Sequence, residues 1–82
     1  MDNTNHFSLT ELPVNDRATI RSFKIGRLEI NRLASLGFTP GAEVNMTQNN
    51  GRGPLIVTVR GTRVALGRME AARILVERSL AE

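Results

Sequence analysis

The sequence predicts a mainly β protein: a small barrel of five short strands, one short α-helix between the first and second strands, and a helical turn before the last. Three observations predict it. Short runs alternate apolar and polar residues with the two-residue period of half-buried strands. Glycine-rich corners separate these runs at tight spacing, as in small barrels that close on themselves to remove exposed edges. The stretch Arg32 to Gly41, reading RLASLGFTPG, stacks three backbone devices that end a helix and turn the chain.

With 82 residues there is room for one small core. No cysteine is present, so neither disulfides nor a thiolate metal site can staple it. Stability must come from packing, for which 40% apolar residues are an adequate supply. Residues 1–8 read as a loose, polar lead-in, 9–78 as the domain and 79–82 as a tail.

Pro13 with Asn15-Asp16 marks the first turn. From Arg17 to Lys24, Ala18 and Ile20 face one side and Thr19 and Arg21 the other, which predicts a half-buried strand. Gly26 breaks the extended run. Arg27 to Leu36 then places Leu28, Ile30, Leu33, Ala34 and Leu36 at helical spacing. About 15 Å long, this helix is too short to stand alone and must lie on a sheet. Gly37 sits where it must stop, and a glycine there can satisfy the last free carbonyls from the left-handed region. Phe38 is placed to pack back on Leu33, and Pro40-Gly41 fits the centre of a type II turn. Val44 and Met46 alternate with Asn45 and Thr47 in the next strand. Asn49 to Pro54 is a hairpin loop, and Leu55 to Arg60 is β-branched, with Leu55, Val57 and Val59 on one face. Gly61-Thr62 makes a tight connection to Arg63–Leu66, Gly67 ends that strand, and Met69–Ala72 suits one helical turn. Ile74–Val76 closes as the last strand.

Net charge is only +3, and ten of the eleven bases are arginine. A domain of this charge can sit near phosphate or anionic lipid, but a solvated arginine face is the plainer account. The start, MDNTNHFSLTEL, has no basic cluster and no apolar run, so no signal peptide is expected. No segment approaches the ~18 uninterrupted apolar residues of a membrane span, and a soluble protein is expected.

The order of a strand, then RLASLGFTPGAEV, then GRGPLIVTVRGTRVALGRMEAARILV resembles the FeoA family, small ferrous iron transport proteins of bacteria. The resemblance runs from about Leu9 to Val76. Its most specific parts are Arg32-Leu33, Leu36-Gly37, Pro40-Gly41, Gly53-Pro54, and Arg60-Gly61 through Val64–Gly67, followed by Ala72, Ile74 and Val76. It implies an SH3-like barrel in the cytosol, at most peripheral to the inner membrane, that works with FeoB, a membrane ferrous-ion permease with a GTP-binding domain. The same module resembles the C-terminal domain of iron-dependent repressors. A homo-oligomer is compatible with the sequence.

Catalytic chemistry is not apparent. His6 is the single histidine, lies in the lead-in and reads as a solvated bystander without a paired carboxylate. Glu11, Asp16, Glu29, Glu43, Glu70 and Glu77 are scattered singly, so no acid–base dyad is expected. No cofactor and no resident metal are expected either, although His6 with Asp2 could bridge a metal between chains. Ferrous iron wants imidazole, carboxylate or thiolate groups converging on one site, and Met46 is expected in the core. Gly51-Arg52-Gly53 lacks the phosphate-loop pattern, and the only lysine, Lys24, is elsewhere. With three phenylalanines and no tryptophan or tyrosine, an aromatic groove for proline-rich peptides is excluded.

The activity that the resemblance implies is docking on FeoB. Three surfaces are candidates: the outer helix face (Arg27, Ile30, Asn31), the corner Phe38, Thr39, Pro40 and Gly41, and the loop Asn49 to Gly53 with Arg52. Leu28, Ile30 and Leu36 cannot all face the core, so one exposed apolar spot is expected. Leu33, Gly37, Pro40, Gly41, Gly61 and Gly67 are expected to hold the structure. Arg52, Arg60, Arg63 and Arg68 cluster along the second half of the chain and could meet an acidic partner surface or anionic lipid heads, with a plain solvated face ranked higher. The alternative is a small nucleic-acid-binding barrel using its arginines, against which stand the modest charge and the lack of stacking aromatics.

Overall fold

Every strand sets an apolar row against one common interior, and this sorting of faces builds the sheet. The computed structural model describes residues 6–79. In chain order these form β1 (His6–Ser8), a 3-10 turn (Leu9–Glu11), β2 (Arg17–Phe23), α1 (Arg27–Ser35), β3 (Glu43–Gln48), β4 (Leu55–Val59), β5 (Thr62–Leu66), α2 (Arg68–Ala71) and β6 (Ile74–Arg78). The strands pair antiparallel in the order β1-β6-β2-β3-β4-β5. Ala18, Ile20, Val44, Met46, Leu55, Val57, Val59, Leu66, Ile74 and Val76 all lie inward, as their alternation predicts. Leu33 of α1 and Phe38 complete the same cluster. No polar or charged side chain is buried among the described residues.

The structure departs from expectation at the N-terminal end. There are six strands, because residues 6–8 of the supposed lead-in pair with β6: His6 opposite Glu77, Phe7 opposite Val76 and Ser8 opposite Leu75. Three residues are too few to display a period, so this strand exists through its distant partner alone. Ser8 then accepts a hydrogen bond from the Thr10 N–H at 3.1 Å, capping the 3-10 turn, and Leu9 and Leu12 are fully buried. The helix accordingly follows the second strand. Asp2, proposed above as a bridging ligand, lies outside the described residues.

The last strand runs on to Arg78 rather than stopping at Val76, and it enters the sheet between β1 and β2. The strands wrap one core without a closed ladder: β1 and β5 remain the two edges of the sheet. Register shifts in β2 between Ile20 and Ser22, and in β3 between Met46 and Gln48, give the local bends. β4 and β5 are joined by Arg60-Gly61, both at positive φ (51° and 79°), the conformation that matches the strand twist in a two-residue hairpin. Gly67 ends β5 in an extended conformation (φ −64°) and caps α2 through its backbone.

Candidate interaction surface

The corner after α1 is the most constrained exposed feature. Gly37 has φ +104°, and its N–H donates to Ala34 O at 3.0 Å while the Phe38 N–H donates to Leu33 O at 2.9 Å. These two bonds close the helix end, and the accompanying apolar contact sends Phe38 inward onto Leu33. Phe38 is fully buried, so its side chain is not part of the surface predicted for it. Next, the Ala42 N–H donates to Thr39 O at 2.9 Å across Pro40-Gly41, with Gly41 at φ +91°, a type II turn. The Gly41 N–H donates to Ile20 O at 2.7 Å, and the Ile20 N–H to Ala42 O at 2.9 Å, tying the turn to β2. From the other side Arg60 Nε donates to Gly37 O at 3.4 Å and Nη2 to Thr39 Oγ1 at 3.2 Å. Pro40 and Gly41 are left exposed and Thr39 half-buried on a braced corner.

The outer face of α1 is more apolar than the sequence argument chose. Arg27 and Asn31 are exposed and Ile30 is half-buried; with Ile25 they line a shallow groove. Leu28, however, is 85% exposed, and Met69 on α2 is 80% exposed. Leu36 is partly exposed at 39%, so the expectation of at least one outward apolar residue holds, with Leu28 as the chief one. A helical wheel could have singled it out, since five residues place Leu28 about 140° around the helix from Leu33. Nothing in the α2 turn marked Met69. A second groove, lined by Ile25, Glu29, Arg32, Met69, Glu70 and Arg73, runs between the helices, crossed by the Arg32–Glu70 ion pair.

The hairpin loop is pinned by two side chains. Asn49 Nδ2 donates to Thr10 O at 2.9 Å and Leu12 O at 3.1 Å. Its Oδ1 accepts from Arg68 Nη2 at 2.9 Å, and Arg68 Nε donates to Gly53 O at 3.2 Å. Arg52 is exposed at the tip. Arg52, Arg60, Arg63 and Arg68 therefore do not act as one patch: Arg60 and Arg68 are engaged by oxygens of the protein itself. The aromatics offer no open platform either, with Phe38 buried and Phe7 and Phe23 packed against the core.

His6 is not without an acid: its Nε2 lies 3.7 Å from Glu77 Oε1, because the β1–β6 register sets the two residues opposite. Glu77 also accepts from Arg21 Nε at 2.6 Å. Asp16 pairs with Arg78 and Glu43 with Arg17. Among the described residues no three His, Cys, Asp or Glu side chains gather as a metal site would require.

A six-stranded wrap, a braced exposed corner and paired surface charges define a small SH3-like module whose exposed features are surfaces rather than clefts. The FeoA domain model matches residues 7–78, and the chain belongs to the FeoA family. An Fe(2+) transport protein A from Methanocaldococcus jannaschii is 29% identical over 62 residues, 76% of this chain and 74% of that one. The crystal structure of an iron uptake regulatory protein, FeoA, superposes with TM-score 0.85 at 30% identity, covering 90% of this chain and 99% of that one. FeoA of Stenotrophomonas maltophilia, solved in complex with zinc and described as a prokaryotic SH3-domain protein, is 38% identical with TM-score 0.74, covering 87% and 89% of the two chains. A manganese-dependent transcriptional repressor shares the fold alone, with TM-score 0.84 at 17% identity, and this chain covers 45% of it. The protein is thus a FeoA-family accessory protein of ferrous iron transport with an SH3-like fold.

Proposed function

We propose that this protein acts by binding rather than by catalysis, as a regulator that docks on the cytosolic part of FeoB, at most peripheral to the inner membrane. The observation that carries the reading is the corner Thr39–Gly41. It is exposed, yet two helix-closing bonds, a turn bond, two bonds to β2 and the Arg60 side chain hold it in place. A surface ordered in advance loses little conformational entropy on association, which favours docking. The exposed residues Arg27, Asn31 and Arg52 are available to extend the contact, and none of this surface presents a paired nucleophile and base.

The test is retention of the purified protein by detergent-solubilised FeoB, free of bilayer. Pro40→Glu adds a charge at the exposed corner without entering the core. It is expected to abolish retention while the far-ultraviolet circular dichroism stays unchanged. Retention of both proteins alike, or of neither, refutes the reading.

A further inference from the structure

We propose that the tips of α1 and α2 form a lipid-facing surface that seats the protein on an anionic membrane. Leu28 and Met69 are the two most exposed large apolar side chains among the described residues, at 85% and 80%. They stand on adjoining elements: Leu28 lies one turn before Arg32, whose guanidinium pairs with Glu70, the neighbour of Met69. Ile25, half-buried, lines both grooves beside α1, one of which Met69 also lines.

The charges near these apolar tips are unequal. Lys24, Arg27 and Arg73 are exposed and have no ion-pair partner among the described residues. They adjoin Ile25: Lys24 precedes it and donates its N–H to Arg73 O at 2.8 Å, while Arg27 and Arg73 each line one of its two grooves. Against them stands one unpaired acid, Glu29, since Arg32 and Glu70 neutralise each other. The surface therefore combines two protruding apolar tips with a net positive charge.

Protruding leucine and methionine tips with bases nearby suit a bilayer interface. Apolar tips enter the acyl boundary while ammonium and guanidinium groups stay at the phosphates. An acidic protein partner would be expected to meet a broad, shape-matched patch of about 800 Å² per side instead. The local charge is also suitable, as each basic residue near an anionic surface strengthens partitioning by about fivefold.

The probe is the whole chain with vesicles of phosphatidylcholine alone or mixed with phosphatidylglycerol, read by co-sedimentation. No transporter is present, so the result is independent of whether FeoB is the docking partner. Binding is expected only to the anionic vesicles, weakening with salt. Leu28→Ser with Met69→Ser is expected to lower it at least about tenfold, and Arg27→Glu with Arg73→Glu to abolish it. Arg52→Glu, outside the surface, is expected to retain most of it. The four side chains are exposed, and unchanged melting curves verify that the variants fold. No binding to anionic vesicles overturns the proposal, as does binding indifferent to the Leu28 and Met69 changes. So does equal loss with Arg52→Glu, which would signal charge attraction without a defined face. Retention by FeoB through Leu28 and Met69, with vesicles ignored, would assign the surface to a protein and also overturn it.

Discussion

Gly37→Ala isolates the cost of the backbone at the helix end. An alanine Cβ at this position would lie 3.4 Å from Arg60 Cδ and 3.6 Å from the two Val59 methyls, ordinary contact distances, so space does not forbid it. The φ of +104° does the damage, because an L side chain rarely adopts that conformation. Strain of this kind costs about 1–2 kcal/mol. Relaxing it would sacrifice the Gly37→Ala34 and Phe38→Leu33 bonds and displace a fully buried phenylalanine. In a domain of this size the melting temperature should fall by roughly 5–15 °C. Gly41→Ala provides the comparison: φ is +91° with nothing within 4 Å, so its loss should be strain alone and of similar size. Gly26→Ala, at φ −74° and equally open, carries no such strain and should lose only the N-cap preference for glycine over alanine, about 0.5–1 kcal/mol. Gly37→Val adds methyls directed at Val59 and Arg60 and should cost about 3 kcal/mol. Thermal melts followed by far-ultraviolet circular dichroism decide the matter, since the chain has no tryptophan or tyrosine to report by fluorescence. A Gly37→Ala melt within about 2 °C of the parent would refute the reasoning.

Three further outcomes are expected. Phe38→Ala should cost about 3–5 kcal/mol in urea titration, because the ring is fully buried; a surface residue would lose far less. Asn49→Ala removes bonds to two backbone carbonyls and the acceptor of Arg68, and should cost about 2–3 kcal/mol. Combined with Arg68→Ala it should cost less than the sum of the two, a coupling measurable in a double-mutant cycle. His6→Ala should shift stability by less than about 0.5 kcal/mol at any salt concentration, since both partners of its ion pair are substantially exposed.

The elements legible in the sequence are those whose chemistry is local. Gly37-Phe38 and Pro40-Gly41 carry their own turn instructions, and Leu55-Ile56-Val57 needs only period and β-branching to declare a strand. β1 was illegible because three residues carry no period; it forms because β6 presents an open edge nearly seventy positions later in the chain. The misplacement of Phe38 on the surface was avoidable, for a residue that closes a helix against Leu33 must point the same way as Leu33. Asn49 and Arg68 could not have been paired from sequence: an amide in a turn-rich loop reads as a turn residue, and only the packed chain brings Thr10, Leu12 and Arg68 to it. Leu28 was visible on a helical wheel, whereas Met69 sits on a single turn too short to define a face.

The position of β6 within the sheet constrains how the protein is born. Among the described residues the one ladder of β1 and the second ladder of β2 both run to the late strand Ile74–Arg78. A growing polypeptide on the ribosome must hold His6–Ser8 unpaired for several seconds, at roughly 5–20 residues per second, until those late residues emerge. The hairpins of β3, β4 and β5 can form meanwhile. Ile74 and Val76 are both fully buried, so the interior cannot be complete before they arrive.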